Sequence, residues 1–308
     1  MKSQRFILAG PGAVGLSLSA AWIQTGHRCV GIYGRRPRSL ARGKRLLKTR
    51  IIRPGEEHQA KDFDVLLIAV PDGAIAAVAR AWARRTDWKG KCVFHTSGAL
   101  PSILLAPLHD RGARVASLHP LTSVPRPSTD RGMFAGITFA LEGDAAACIL
   151  GAQIVRKLGG RPLRIPSHAK ASYHLAACLA SGYLLAYLVM ASELVERSAG
   201  LPRGRSLPPL LQLAAATLAN ARRIGVPRSL TGPVVRGDLV TLRLHANALR
   251  GAPPELGLIH SIVALKLLEL VKTSGLLETS LSRKIGAILA PTPRPATVRG
   301  EAGSRRRR

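Results

Sequence analysis

The chain has 308 residues, of which 46% are hydrophobic and only 4% aromatic. This length favours two domains, and a core of aliphatic residues favours helices and parallel strands, so an α/β fold is expected. The 46 basic and 17 acidic residues give a net charge of +29, which attracts anions but selects no particular partner. The four cysteines lack the spacing of a zinc site or a disulfide framework, so no metal site and a reducing cytoplasm are expected.

The first half of the chain alternates short apolar runs with helical stretches, as βαβ units do. Strands are predicted at residues 5–9, 29–33, 65–70, 92–95, 115–118 and 137–141, with a last extended piece at 162–165. The run at 65–70 is continuously apolar, which is typical of a parallel strand buried on both faces. The pattern therefore predicts a doubly wound, mainly parallel sheet.

A glycine-rich loop follows the first predicted strand and opens a predicted helix over residues 14–25. Its sequence fits the dinucleotide-binding pattern G-x-G-x-x-G and reads Gly10-Pro11-Gly12-Ala13-Val14-Gly15. Gly10 allows the tight turn, Gly12 lets a pyrophosphate approach the backbone, and Gly15 lets helix and strand pack closely. The amides of Ala13 and Val14, at the helix N-terminus, are expected to face the phosphates. Residues 1–163 are thus predicted to form a Rossmann-type domain; the alternative is one that keeps the fold and has lost the ligand.

The end of the second predicted strand lacks the acidic residue that NAD enzymes of this type use to bind the ribose hydroxyls. Gly34, Arg35 and Arg36 follow the strand instead, and Ser39 lies close behind them. Cations and hydroxyl groups suit a 2′-phosphate, so NADP is predicted in preference to NAD. Alternatively, the arginines belong to a generally basic surface, because residues 28–53 hold ten basic residues and no acidic one.

The strand at 65–70 ends in Val70-Pro71-Asp72, at the edge of the sheet where ligands bind. Val70 and Pro71 are predicted to border the nicotinamide side of the crevice. Asp72 is interpreted as a cap for the helix that follows.

Two further strand ends carry hydroxyl and imidazole groups. Because carboxyl ends of parallel strands meet at one edge, Ser97 and His119 are expected to lie together. His119 would exchange a proton with a substrate hydroxyl while Ser97 orients that oxygen. The alternative for His119 is a loop residue with satisfied hydrogen bonds, and that interpretation is preferred for His95.

No charged residue occurs between Lys170 and Glu193, a length that could span a bilayer. Polar residues within the stretch favour a buried helix of a helical domain instead. Lys170 and His174 are four residues apart and therefore share one face of this helix. Because burial lowers the pKa of a lysine, Lys170 is a candidate acid or base; the alternative is a solvated lysine in the first helical turn.

The second half of the chain is predicted to be helical. Residues 164–290 form the predicted helical domain, with helices at 207–224, 239–249 and 256–274. Residues 291–308 are rich in Pro, Gly and Arg, and are interpreted as a disordered, solubilising tail rather than a nucleic-acid-binding arm.

Four motifs resemble those of the family catalogued as domain of unknown function 2520, and the resemblance covers nearly all of residues 5–290. They are Phe94-His95-Thr96-Ser97-Gly98, His119-Pro120-Leu121, KASYHLAA at 170–177 and LTGPVVRGD at 230–238. The resemblance implies an NAD(P)-dependent oxidoreductase whose substrate is unassigned. The chain departs from the family pattern at Gly182, where an Asn is expected.

More distantly, the layout is similar to pyrroline-5-carboxylate reductase, prephenate dehydrogenase and the 6-phosphogluconate and 3-hydroxyacid dehydrogenases. In all of these proteins a Rossmann domain is followed by a helical domain that often forms a dimer. The resemblance implies that His119 contacts a substrate hydroxyl, that Lys170 transfers a proton, and that His174 replaces an Asn. It also implies a substrate loop containing Thr231 and Arg236, in which Arg236 binds a carboxylate; alternatively, Arg236 forms an ion pair with Asp238.

The sequence therefore predicts an NADP-dependent oxidoreductase that moves a hydride to or from a small hydroxy or imino acid. It predicts a cytoplasmic homodimer joined through the helical domain, with no nucleic-acid or membrane partner. A noncatalytic NADP-binding or sensing protein is the first alternative. A nucleic-acid-associated protein, suggested only by charge, ranks last.

Overall fold

The structure is a computed structural model that describes residues 2–84 and 87–290. The predicted tail at 291–308 lies outside the described residues. The chain divides into two compact units, of which the first is Met1–Tyr183 and the second begins at Leu184. This division lies after Tyr183, whereas the sequence predicts a boundary after residue 163, and the buried Lys170 belongs to the first unit.

The described part of the first unit contains one eight-stranded sheet. Its strands are β1 (Arg5–Ala9), β2 (Arg28–Tyr33), β3 (Ile51–Ile52), β4 (Val65–Ile68), β5 (Cys92–His95), β6 (Arg114–Pro120), β7 (Thr138–Gly143) and β8 (Arg161–Arg164). Their order across the sheet is β3-β2-β1-β4-β5-β6-β7-β8. All neighbouring pairs are parallel except β6 and β7. This confirms the predicted Rossmann-type, mainly parallel sheet.

Helices cover both faces of the sheet. They are α1 (Ala13–Gln24), α2 (Pro37–Leu47), α3 (Ile75–Ala83), α4 (Ala106–His109) and α5 (Ala145–Lys157), while α6 (Lys170–Cys178) begins against the strand ends. Phe6 and Leu8 of β1 pack with α1, α2 and α5, whereas Ile7 and Ala9 face the cluster that contains α3 and α4. Successive side chains of a strand point to opposite faces, so a doubly covered sheet requires the continuously apolar strands seen in the sequence.

The second unit is helical throughout its described residues. Its helices are α7 (Leu184–Ala199), α8 (Leu207–Ile224), α9 (Val226–Ser229), α10 (Pro233–Arg236), α11 (Leu239–Leu249), α12 (Pro254–Thr273) and α13 (Thr279–Leu289). The core of this unit includes Val234, Leu242, Leu268, Val271 and Ile285. The helical character predicted for this half of the chain is confirmed.

The long apolar helix runs over Ser167–Ala199 and contains a π-helical turn at Leu179–Tyr183. Its length would allow it to cross a membrane. An 18-residue window within it has a mean hydropathy of 1.8, and only 6% of that window is buried. The prediction of a buried helix is therefore wrong for most of its length. Burial is limited to a few positions such as Lys170, while Leu175, Leu179 and Tyr183 remain exposed.

Candidate functional site

The glycine loop makes a sharp turn after β1 that only glycine accommodates. Gly10 has a φ of +94°, and a Cβ added there would lie 2.5 Å from the backbone oxygen of Ala69. Its amide donates a hydrogen bond to the Tyr33 carbonyl oxygen, 2.8 Å away. The loop is thereby held against the ends of both neighbouring strands, β2 and β4.

The other two glycines of the motif differ in their surroundings. A Cβ at Gly12 would meet no atom within 4 Å, so its backbone is open to a ligand. A Cβ at Gly15 would lie 2.5 Å from the Gly10 oxygen, so α1 can approach the strand only with glycine there. Ala13 and Val14 are the first residues of α1, where backbone amides lack acceptors within the helix. The loop has the geometry that a bound pyrophosphate requires.

A cavity of about 480 Å³ joins the glycine loop to the ends of β2 and β4. Its lining includes the predicted cofactor residues Gly10, Gly12, Arg35, Arg36, Val70 and Pro71, together with Ser39. None of its lining residues is acidic. The cavity therefore fits a dinucleotide with a 2′-phosphate, because it offers two cations and a hydroxyl in place of a carboxylate.

Lys170 is buried at the start of α6, with 1% of its surface exposed. Its ammonium donates hydrogen bonds to the Ser97 carbonyl oxygen, at 2.9 Å, and to the Ser117 hydroxyl. Burial lowers its pKa to about 8, although the charges of Glu142 and Asp72 raise it. The alternative of a solvated first-turn lysine is therefore wrong, since α6 begins against the strand ends.

The Ser97 hydroxyl donates to the Asp72 carboxylate, 2.9 Å away, and accepts a hydrogen bond from the Leu100 amide at 3.0 Å. The interpretation of Asp72 as a helix cap is wrong. Asp72 opens a short 3₁₀ turn, Asp72–Ala74, and α3 begins only at Ile75 with no side-chain cap. The Asp72 carboxylate contacts Ser97 instead, which adds a negative charge beside the lysine.

His119 lies near the end of β6 and contacts two residues of α6. Its Nδ1 is 3.0 Å from the Tyr173 hydroxyl, and its ring centroid is 6.0 Å from that of His174. A Cβ at Gly98 would lie 2.8 Å from His119 Nε2 and 2.6 Å from His174 Cδ2, so both rings rest against this glycine. Burial, aided by the charges of Lys170 and His174, lowers the pKa of His119 to about 4. The first unit thus brings Ser97, His119, Lys170 and His174 into one region.

His95 belongs to β5 rather than to a loop, and its side chain is fully buried. Its Nδ1 accepts a hydrogen bond from the Ser97 amide at 3.2 Å. Burial lowers its pKa to about 3, so the ring is neutral near pH 7. The position in the strand corrects the loop interpretation, and the buried Nε2, which has no hydrogen-bond partner among the described residues, corrects the expectation of satisfied hydrogen bonds.

Sequence reasoning missed Glu142 and Tyr173. Glu142 is buried in β7 and accepts hydrogen bonds from the Ser102 amide at 2.7 Å and the Ser102 hydroxyl at 2.8 Å. An acidic residue inside an otherwise apolar strand was an available signal. Tyr173 lies within the KASYHLAA motif, but only the fold shows that it meets His119.

Thr231 and Arg236 lie in the second unit, beside and within α10, and both side chains are exposed. Asp238 caps α11 by accepting hydrogen bonds from the Thr241 amide at 3.0 Å and its hydroxyl at 2.6 Å. Among the described residues Arg236 and Asp238 form no ion pair within 4 Å. The substrate role of Thr231 and Arg236 stays a prediction.

The sheet order, the glycine loop and the cavity define a Rossmann-type domain of the dinucleotide-binding class, followed by a helical unit. Residues 5–120 match the Rossmann-like domain family, and residues 137–266 match DUF2520, a domain of unknown function. The chain therefore carries a Rossmann-like domain followed by a DUF2520 domain, as the motifs predict. No curated protein matches it significantly in sequence.

Several solved structures are similar over most of the chain. TM1727 of Thermotoga maritima is 24% identical with a TM-score of 0.69, covering 88% of this chain and 99% of its own. BF3122 of Bacteroides fragilis, provisionally described as an NADP oxidoreductase, is 19% identical with a TM-score of 0.62, at 92% and 98% coverage. A reductive aminase of Aspergillus terreus, in complex with NADPH and ethyl-5-oxohexanoate, is 21% identical with a TM-score of 0.56, at 93% and 99% coverage. At these identities the likeness is one of fold.

Proposed function

We propose that the chain is an NADP-dependent oxidoreductase that moves a hydride to or from a small hydroxy or imino acid. The observation that carries the proposal is the cavity that joins the glycine loop to Arg35 and Arg36 without an acidic residue in its lining. The reductive aminase of similar fold is in complex with NADPH, which supports the choice of cofactor.

Different residues around the cavity would bind different parts of the cofactor. Gly12 and the amides of Ala13 and Val14 would hold the pyrophosphate at the N-terminus of α1. Arg35 and Arg36 would hold the 2′-phosphate. Val70 and Pro71 would border the nicotinamide. When bound, NADP supplies or accepts the hydride.

Lys170 has the properties of the group that exchanges the proton. A lysine ammonium has three N–H donors, and two of them are used on Ser97 and Ser117, so one remains. With a pKa of about 8 the group gains and loses a proton near neutral pH. In the reductive direction the ammonium gives a proton to the substrate oxygen or nitrogen as the carbon receives the hydride. In the oxidative direction the amine takes that proton back.

Cofactor titration tests the proposal directly. The wild-type chain should bind NADPH more tightly than NADH in a fluorescence titration. Replacing Arg35 and Arg36 with Ala should weaken NADPH binding by about 10- to 100-fold and NADH binding far less, because only NADPH has the 2′-phosphate. Arg38→Ala is the matched control, since Arg38 is exposed on α2 but does not line the cavity. Equal losses for both cofactors would refute the phosphate assignment.

A noncatalytic NADP-binding protein is the second candidate function. Gly182 favours it, because the position where the family pattern has Asn offers no side chain and lies in open space within the π-helical turn. NADPH binding without turnover on a panel of hydroxy and imino acids would support this candidate and contradict the enzymatic one.

We further propose that the protein is a cytoplasmic homodimer joined through the second unit. α8 is 18 residues long and none of them is buried, although Leu211, Leu213 and Leu218 are apolar and exposed. A helix that is apolar around much of its surface is normally buried, so a second copy of this chain is the proposed cover. Light scattering of the purified protein would give the mass of the assembly.

A further inference from the structure

Tyr173 contacts His119, and the proton exchange proposed for Lys170 does not involve this contact. The Tyr173 hydroxyl lies 3.0 Å from His119 Nδ1, and the two rings are perpendicular with centroids 5.6 Å apart. Tyr173 is on α6 and His119 on β6, so the contact spans two elements of the first unit. This geometry defines how the imidazole is held.

The direction of the hydrogen bond follows from the partners of the hydroxyl. Among the described residues, His119 Nδ1 is the one hydrogen-bond partner of the Tyr173 hydroxyl. A phenol hydroxyl has one proton to donate, and an imidazole nitrogen with a free lone pair accepts it. If Nδ1 carried a proton, the hydroxyl would have to accept, and its own proton would lack a protein acceptor. Donation from Tyr173 to Nδ1 therefore satisfies both groups.

The imidazole is neutral near pH 7. Burial and the nearby Lys170 and His174 lower the pKa of His119 to about 4, and burial raises the pKa of Tyr173 to about 12. No acidic side chain is among the groups that shift the pKa of His119, so none acts to raise it. A neutral imidazole has one proton, so acceptance at Nδ1 leaves that proton on Nε2.

His119 Nε2 makes no hydrogen bond to any described residue, yet it is not sealed from solvent as His95 Nε2 is. It lies against Gly98, where a Cβ would be 2.8 Å away. The N–H is therefore available to a ligand atom that accepts a hydrogen bond.

We infer that Tyr173 is a positioning residue that holds the proton of His119 on Nε2, so that His119 donates a hydrogen bond to the substrate. The inference rests on the proposed function. The inference gives the two groups different roles. Lys170 exchanges the proton, whereas His119 stays neutral and polarises the reacting group of the substrate. The substrate is then one with an accepting atom at the reacting carbon, namely a carbonyl oxygen or an imine nitrogen.

The tautomer can be measured without cofactor or substrate. Long-range ¹H–¹⁵N spectra of histidine-labelled protein at pH 7 distinguish a protonated from an unprotonated ring nitrogen. The His119 signals are assigned as those lost in His119→Asn. The wild type should show a neutral ring with the proton on Nε2. In Tyr173→Phe the ratio of the Nε2–H to the Nδ1–H form should fall by about fivefold, as expected for one lost hydrogen bond.

Tyr183→Phe is the matched control, because Tyr183 follows on the same helical run and its side chain is exposed. Its His119 spectrum should equal that of the wild type. An Nδ1–H ring in the wild type, or an unchanged ratio in Tyr173→Phe, would overturn the inference. If Tyr173→Phe does not fold, a wild-type ring with its proton on Nδ1 would still overturn the inference.

The two proposals can fail separately. NADPH should bind Tyr173→Phe as tightly as the wild type, because Tyr173 does not line the cofactor cavity. If the wild type does not bind NADPH, the proposed function is contradicted, but the measured tautomer of His119 is unaffected. With an active substrate, Tyr173→Phe should lower kcat about fivefold or more and leave the KM for NADPH unchanged. An unchanged kcat would overturn the role of the N–H.

Discussion

The ammonium of Lys170 donates a hydrogen bond to the backbone oxygen of Ser97, 2.9 Å away, although 73 residues separate them in the chain. The bond ties the start of α6 to the end of β5 and keeps the lysine almost fully buried. A charge in this position costs solvation free energy, which is why the pKa of Lys170 falls to about 8. The bond therefore helps to hold Lys170 in the buried position that lowers its pKa.

The stability of the protein should report the pKa of Lys170. Between pH 8 and pH 10.5 the unfolded chain keeps the lysine proton while the folded chain has lost it. The free energy of unfolding gains a rising contribution with pH across this window, about 3 kcal/mol in total, and that contribution is lost as pH falls through about 8. Denaturant unfolding of the wild type and Lys170→Met at several pH values measures it.

Comparison with Lys170→Met removes the contributions of the other lysines and the tyrosines, which titrate in both proteins. The difference in unfolding free energy between the two proteins should therefore slope upward with pH in favour of the wild type. A difference that stays flat between pH 8 and pH 10.5 would show that Lys170 titrates normally and is not the proton-exchanging group.

Glu142 should hold the pKa of Lys170 up. Its buried carboxylate opposes the effect of burial on the lysine, so Glu142→Gln should lower the pKa of Lys170 below about 8. The stability window described above should then begin at a lower pH. Glu255→Gln, which removes an exposed carboxylate at the start of α12, is the control and should leave the window in place. An unmoved lower edge in Glu142→Gln would argue against coupling between the two groups.

The sequence predicts most of this region because strand ends and helical spacing are local patterns. The apolar runs predict the strands, and therefore the edge of the sheet at which Ser97 and His119 lie. The four-residue spacing places Lys170 and His174 on one face of a helix. Tyr173 and Glu142 escape such reasoning because their partners come from distant parts of the chain. Glu142 meets Ser102, 40 residues away, and Tyr173 meets His119, 54 residues away.

Two failures have different physical origins. The two-residue strand β3, at Ile51–Ile52, is too short to give a periodic signal, although it forms the edge of the sheet. The long apolar helix is predicted with the right position, but apolarity does not reveal what covers a helix. Most of its apolar window is exposed in the single chain. Its burial therefore cannot follow from the sequence alone.

Gly98 should tolerate no side chain. A Cβ there would approach the rings of His119 and His174 to within 3 Å, so Gly98→Ala should displace both imidazoles and destabilise the fold by about 1–3 kcal/mol. Gly182→Ala is the control, because the added methyl group meets nothing within 4 Å and helix propensity favours it. Denaturant unfolding compares the two, and equal stabilities would mean that the rings move aside at little cost.

Gly12 should tolerate a side chain in the fold but not a negative charge in the site. Because a Cβ at Gly12 meets no atom within 4 Å, Gly12→Asp and Gly12→Asn should both fold with near wild-type stability. The aspartate would repel the pyrophosphate, so NADPH affinity should fall at least about tenfold further in Gly12→Asp than in Gly12→Asn. Fluorescence titration measures both. Equal NADPH affinities in the two variants would place the phosphates elsewhere.

The exposed face of α8 should be the contact between two copies of the chain. Leu213 is 63% exposed and Leu218 is 53% exposed, so replacing both with Glu should leave an isolated chain nearly as stable as before. If a second copy covers them, the same change buries two charges and should dissociate the dimer, which light scattering detects as a halved mass. Gln212→Glu adds a charge to the same helix at a polar position and should leave the mass unchanged. A wild-type chain that is monomeric at all concentrations, or a double variant that stays dimeric, would contradict the assignment of α8 as the interface.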